Sequence, residues 1–540
     1  MSRRFGASAL TAVALMLAGS LLCQAQSLPL LTHHVREATA NGQAPLVGHL
    51  PATQTMRLVM TLPLRNESAL DNLLEQLYDR NSASYRDFLS VEEFTARFGP
   101  TQEDYNAVVH FAEANGFQVV GTSPNRLNVD VKGSVATIEK AFHVSMGLYQ
   151  HPYENRTFYA PDREPSVDLP FQLWHISGMD NYSIPKPLFL KNPNPRPLAV
   201  TGSCPQASFC GSDMRAAYYG GTKLTGQGQY VGILEYAGTD LADLNTYYTN
   251  AHQTLNVPVK LVSVDGTPTQ CLASQGCDDT EQTLDMTQAA GMAPGLAGMT
   301  EYVGSTDAAI FNAMATSSPL QANLSSSWYW FPADPNTDDP YFKEFATQGQ
   351  TLFDAAGDGR DWQISGSIWP SDDAYVISVG GTDLQTKSAG GPWSSETAWA
   401  DSGGGISPNG IPIPSWQKKT AAGCSNCSQT LRNGPDISAN ANFTFYVCAD
   451  QTACTANLYG GTSFAAPMWA GWLALANQEE VALGKKTLGF IDPLLYELGL
   501  STSYSKDLHD ITSGSNGYPA TKGYDLATGW GSPVAGGLLK

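Results

Sequence analysis

GQYVGILEYAGTDLADLNTYYTNAH spans residues 228–252, followed by VKLVSVD (259–265) and EQTLDMTQAAGMAP (281–294). The first apolar run reads as a buried strand, and LADLNTYYTNAH looks helical. VKLVSVD is a second strand and the last segment a second helix. Further strands are predicted near GLAGMTEYV (295–303), ANLSSSW (322–328), TLFDAAG (351–357) and AYVISVGGT (374–382). Strands alternating with helices build a parallel, doubly wound sheet, so residues 204–540 read as an α/β domain.

Ahead of it the grammar differs. MRLVMTL (56–62) is a strand, and Leu70, Leu73, Leu74 and Leu77 recur at helical spacing in ALDNLLEQLYDR (69–80). VEEFTARF and QEDYNAVVHFAEANG are helices. FQVVGTS pairs with RLNVDVKG, VATIEKAF (135–142) is a helix, and VSMGLYQ is the last strand. That order predicts a ferredoxin-like α+β domain within residues 28–185. Residues 186–203 are rich in Pro and Asn and read as an extended, exposed linker.

Charge divides at the same place. Residues 1–200 carry 16 basic and 18 acidic side chains, whereas 201–540 carry 14 and 32. The acidic excess argues against a nucleic-acid partner. Seven of the nine histidines precede residue 201; His33 and His34 fall ahead of the first predicted strand. Acidification would add charge to this segment, and His110, His143, His151 and His175 are the candidates for an acid-driven loosening.

The chain begins MSRRFGAS, then ALTAVALMLAGSLLC and QAQ, which reads as a secretory signal peptide over 1–25. No later apolar run is long enough to span a membrane. Beyond Cys23, eight cysteines form four near-neighbour pairs: 204/210, 271/277, 424/427 and 448/454. In an exported chain, local disulfides are the natural reading. A metal site on Cys424 and Cys427 is the alternative, but no partner lies at zinc spacing.

The chemistry concentrates in GGTSFAAPMWAG (460–471), whose Gly-Gly-Thr turn puts Ser463 at a helix N-terminus, where developing negative charge is favoured. The string resembles the nucleophile motif of subtilisin-like serine peptidases. Their His and Asp partners are missing: only His252 and His509 occur in this part, and GILEY stands at the end of the first strand. Glu281 and Asp285, four residues apart, share one helical face and titrate together. As isolated residues, Asp278 and Glu281 would equally suit a capping box. Asp358, between glycines, suits either a turn or a protonated carboxyl that donates to an oxyanion.

ExxLD at 281–285, GD at 357–358 and GGTSxAAP at 460–467 together resemble the sedolisins, the serine-carboxyl or kumamolisin-like peptidases. SDDAYVISVGGT (371–382), ETAW (396–399) and GPDISANA (434–441) extend the likeness, and SYRDFLSVEEFTARFGP resembles the family's activation domain. The resemblance implies a subtilisin-like catalytic domain behind an inhibitory prodomain, with maturation in the linker. It implies Ser463 as nucleophile, Glu281 as general base and acid, Asp285 orienting Glu281, and Asp358 at the oxyanion. SSSW (325–328) corresponds to the substrate-binding strand. LHDITSGSNGYPATKGYDLATGWG (508–531) resembles the calcium loop, implying one structural Ca²⁺ on the carboxylates of Asp510 and Asp525 and the carbonyls of Ile511, Thr521 and Gly523.

The expectation is a secreted, monomeric, acid-active endopeptidase made as a zymogen. It acts on proteins or peptides and has no membrane attachment after signal cleavage. A tripeptidyl aminopeptidase is the rival within the family. A catalytically inactive binding protein is the rival outside it, and the presence of all four candidate residues counts against that.

Overall fold

The computed structural model describes residues 27–192, 202–331, 336–366 and 368–539. The signal-peptide residues and the linker's 193–201 lie outside these. Among the described residues no helix is long and apolar enough to cross a membrane.

In the N-terminal part, a four-stranded antiparallel sheet runs in the order Gln118–Thr122, Asn128–Ser134, Thr55–Thr61, His175–Ser177. Strand alternation gives it two apolar faces. Leu58, Met60, Val129 and Val131 pack on Val108, Phe111, Ile138 and Phe142 from the helices Gln102–Ala114 and Val135–Phe142. Val59 and Leu127 join a second core with Ile310, Phe311 and Tyr341 of the C-terminal part. The predicted last strand departs from expectation: Met146–Gln150 pairs with Leu46–His49 and Thr157–Pro161 in a separate sheet, and His175–Ser177 closes the main one.

The helix Glu67–Tyr78 turns its Leu70, Leu73, Leu74 and Leu77 stripe into the catalytic core rather than onto its own sheet. Polar contacts fix the docking. Asn128 Nδ2 donates to Ala308 O at 2.9 Å, Asn125 Nδ2 to Glu344 Oε2 at 2.8 Å, and Arg86 pairs with Glu480 at 2.6 Å.

The C-terminal part holds an eight-stranded sheet. Val259–Ser263, Gly298–Val303, Tyr230–Glu235, Asn323–Ser326, Thr351–Ala355 and Ile377–Thr386 run parallel in that order. Ile377–Thr386 pairs in addition with Trp393–Ala398, antiparallel, and with Ile437–Asn440, parallel. This is the expected α/β domain. Two of the motifs that extend the sedolisin likeness, GPDISANA and ETAW, are structural. Asp436 receives Arg432 Nη1 and Nη2 at 2.8 and 2.7 Å, Tyr496 at 2.7 Å and the Ser378 N–H at 2.8 Å, all buried. Glu396 collects Tyr218, Thr382, Trp393 and Ser532, tying the C-terminal segment to the sheet. Disulfides join 204–210, 271–277, 424–427 and 448–454, so Cys424 and Cys427 bind each other.

Candidate active site

The Gly460-Gly461 turn releases the chain into a 3₁₀ turn, Thr462–Phe464, and then the helix Ala465–Ala482. Ser463 is fully buried at this junction. Its helix packs against Thr280–Met292, with Gly471 close enough to Ala289 that a Cβ would stand 2.7 Å from that carbonyl oxygen. The close approach brings Glu281 and Asp285 beneath the serine. The helix Thr280–Met292 is buried around almost its whole girth, and its N-cap is Asp279 with no capping box. His509 stacks on Trp393, and His252 follows the helix Leu241–Asn250.

Burial, then the charge of Asp285, push the Glu281 carboxyl well above its ordinary range, while the Ser463 hydroxyl pulls it back. Burial raises Asp285 too, against a 2.9 Å hydrogen bond from Ser327 Oγ. The two buried carboxyls are both raised and titrate as one pair. Asp358 comes from the loop after Thr351–Ala355. Its Oδ1 accepts both the N–H and the hydroxyl of Thr462 at 2.8 Å, and its buried Oδ2 has no partner. Burial lifts this carboxyl to about 8, so in acid Oδ2 carries a proton to donate.

The linker lies across this site. Lys186–Pro187 pairs antiparallel with Trp328–Tyr329, and Leu190–Lys191 pairs antiparallel with Thr455–Gly460. Between them Leu188 is buried, its N–H donating to Ser327 O at 2.9 Å. The carbonyl oxygen of Leu188 accepts the Ser463 hydroxyl at 2.5 Å and the Ser463 N–H at 3.2 Å. Gly461, at φ 150°, leaves the space open: a Cβ there would stand 2.5 Å from both Asp358 Oδ2 and Leu188 O. The linker is extended over 186–191 as expected, and Lys186 and Lys191 are exposed, but Leu188 is buried and Pro187, Phe189 and Leu190 are half-buried. Two strand edges supply hydrogen-bond partners that its composition did not advertise. The expected peptide-pairing strand at 325–328 does pair, at Ser327 and Trp328.

Sequence reasoning passed over Glu235. It ends the strand Tyr230–Glu235, fully buried, and Trp328 Nε1 donates to its Oε2 at 2.7 Å. Burial and the neighbouring Asp285, Glu301 and Glu281 raise its carboxyl well above the usual range. A charge closing an otherwise apolar strand was the signal. An acid does stand at the end of GILEY's strand, as Glu rather than Asp.

At the C-terminus, Asp510 accepts the Gly523 N–H at 3.0 and 3.2 Å, and Asp525 Oδ2 the Thr521 N–H at 2.7 Å. Both carboxylates thus turn onto the loop that carries the Thr521 and Gly523 carbonyls, with Ile511 buried beside Asp510. Burial raises both, Asp525 to about 6. Among the described residues no group of three or more His, Cys, Asp or Glu side chains is disposed to hold a metal. A cation here would rely on main-chain oxygens as well, and the all-oxygen donor set fits a hard ion.

Residues 43–181 match the sequence family described as pro-kumamolisin, activation domain, and residues 298–515 the subtilase family. The chain is 30% identical over 539 residues to kumamolisin of Bacillus sp. (strain MN-32), covering 93% of this chain and 94% of that protein. It is 30% identical over 225 residues to tripeptidyl-peptidase 1 of Homo sapiens, 36% of this chain and 38% of that one. A solved structure of Pseudomonas sedolisin, a serine-carboxyl proteinase complexed with two molecules of pseudo-iodotyrostatin, is similar over 62% of this chain and 96% of that one. Its TM-score is 0.50 at 26% identity.

Proposed function

Because the chain belongs to the sedolisin, or kumamolisin-like, family of serine-carboxyl peptidases with an N-terminal activation domain, we propose that it is a secreted zymogen whose mature form works in acid as an endopeptidase. The observation that carries this reading is the Leu188 carbonyl on the N–H and hydroxyl of Ser463. That is the position of a scissile peptide, which makes Leu188–Phe189 the candidate first bond cut.

In this mechanism Ser463 Oγ attacks the carbonyl carbon as its proton passes to Glu281, held by Asp285 and, through it, by Ser327. The tetrahedral oxyanion takes hydrogen bonds from the Ser463 N–H and the protonated Oδ2 of Asp358. Glu281 then returns its proton to the departing amine, leaving the acyl-enzyme on Ser463. Water, deprotonated by Glu281, releases the acid and restores the serine. Asp510 and Asp525, with the carbonyls of Ile511, Thr521 and Gly523, would hold one Ca²⁺, which supplies structural cross-linking and takes no part in the reaction.

The endopeptidase mode is favoured over tripeptidyl release by the path of the linker. From Lys186 it continues back through Pro185, Ile184 and Ser183 along a cavity of about 350 Å³ lined also by Tyr236 and Trp330. Arg36, His175 and Asp180 of the N-terminal domain wall the same cavity, so the support for the endo mode is that the chain continues unbroken past the third residue before the cut. Acid treatment of the full chain, with sequencing of the new N-terminus, is the test. Phe189 should appear, and Ser463→Ala should stay uncut and fail to digest casein. Casein digestion by Ser463→Ala equal to wild type would overturn the mechanism. Mature enzyme should cut amino-blocked peptides; cleavage confined to free-amine peptides would favour the tripeptidyl mode.

A further inference from the structure

Beyond the cut, Phe189 and Lys191 alternate with Leu190 along the strand and so project to one side. Both meet the same side chain. The Phe189 ring meets Tyr459 edge-on, centroids 5.7 Å apart and planes at 64°, while the Lys191 ammonium lies 5.1 Å from the centre of that ring. Lys191 and Tyr459 are direct cross-strand partners. Tyr459 is itself buried, held in the strand Thr455–Gly460, whereas Lys191 is exposed.

Two disulfide-closed loops adjoin this part of the chain: Cys448–Cys454 directly precedes the strand Thr455–Gly460, and Cys271–Cys277 directly precedes Asp278 and Asp279. They are fastened to each other: Asp279 N–H donates to Asp450 Oδ1 at 3.1 Å, and Asp450 N–H to Asp279 Oδ1 at 2.8 Å. Tyr459 chiefly, and the carboxylates of Asp278 and Asp450 to a lesser degree, favour the charged form of Lys191. An aromatic face bordered by carboxylates is a seat for a cation.

We infer that Tyr459, with the Asp278 and Asp450 carboxylates drawing the cation it seats, is a shared platform selecting substrates with an aromatic residue directly after the cut bond and a Lys or Arg two positions further on. This rests on the peptidase reading, since it extends the subsites of the same cleft. The linker is then the first occupant of a site that later substrates fill.

The test uses peptides that keep Leu before and Phe after the cut and carry Lys, Ala or Glu two positions beyond Phe, digested by enzyme released from the full chain. Lys should exceed Glu in kcat/KM by about five- to tenfold, the scale of an exposed cation–π contact plus charge complementarity. Asp450→Asn should shrink that ratio while leaving the preference for Phe over Ala after the cut; Tyr459→Leu should diminish both. Equal rates for Lys and Glu overturn the platform and leave the peptidase reading standing. A second measurement needs no catalysis: in full-length Ser463→Ala, adding Lys191→Glu should make the linker several-fold more sensitive to added thermolysin at neutral pH. Unchanged sensitivity overturns the inference even if the chain proves to cleave nothing, an outcome that would sink the peptidase reading by itself.

Discussion

The imidazoles of His34 and His175 are stacked inside the N-terminal domain, centroids 4.3 Å apart and planes within 19°. His34 Nε2 accepts the Ile176 N–H at 3.1 Å, and Thr32 bonds His175 Nδ1 at 2.8 Å. The pair pins the segment before the first sheet strand to His175–Ser177. His34 is therefore part of the folded domain, although it precedes the first predicted strand. Of the four expected candidates, His175 lies in this buried pair and His151 is buried as well, whereas His110 is largely exposed and makes only a distant pair with Glu113; His34 therefore joins His175 as the candidate acid sensor. The groups facing it are Glu164, Asp180 and Arg36.

Burial lowers His34 to about 4 and His175 well below its ordinary value. A depressed folded pKa means the unfolded chain binds more protons below about 6.5, so stability is complete above that value and falls as pH drops toward 4. The cost from His34 alone is on the order of 3 kcal/mol at the acid end. Thermal melts of full-length Ser463→Ala should show the first unfolding transition falling across this window, and His34→Gln with His175→Gln should flatten the slope. An unchanged slope would remove the pair from the activation pathway.

Asp358→Asn keeps a donor at the oxyanion, whereas Asp358→Ala removes it. The alanine variant should lose about 10²–10³ in kcat. The asparagine variant should retain more and lose the fall in activity as pH rises toward 8, because an amide does not deprotonate. Full pH profiles with one peptide decide between this role and a turn residue, for which the asparagine variant would keep the wild-type fall toward pH 8.

Glu235→Gln replaces a carboxyl that burial and its acidic neighbours hold protonated, so it removes no charge from beside the Glu281–Asp285 pair in acid. The acid limb of kcat/KM should stay in place, with no more than about a tenfold loss at the optimum. A limb that moved would show Glu235 ionised in the working enzyme.

Chelation should lower the melting temperature of the mature enzyme, with recovery on adding Ca²⁺ but not on adding Na⁺. Asp525→Asn should melt low with or without chelator. Equal melting of the wild type in both conditions would end the calcium assignment.

Much of this was legible in local sequence. The strand Tyr230–Glu235 and the helices Leu241–Asn250 and Thr280–Met292 follow from apolar runs bounded by turn residues. The four candidate catalytic residues came from short motifs, and the fold gathers them at one point. What escaped depended on distant partners. Leu188 meets Ser463 from 275 residues away, and a proline-rich segment carries no alternation to announce a strand. The pairing of Met146–Gln150 likewise rests on Leu46–His49 rather than on its own pattern. Glu235 was visible but was weighed only as a missing aspartate.

Severing Leu188 from Phe189 does not by itself empty the cleft. Leu190–Lys191 remains hydrogen-bonded to Thr455–Gly460, and the Asn192 N–H still reaches Leu458 O at 2.8 Å. The newborn enzyme thus begins with its own amino terminus in the berth of a leaving group. Its turnover of other chains should show a lag set by departure of that tail rather than by the cut. The delay should be unimolecular, independent of enzyme concentration, and shortened by anything that loosens the tail's hold.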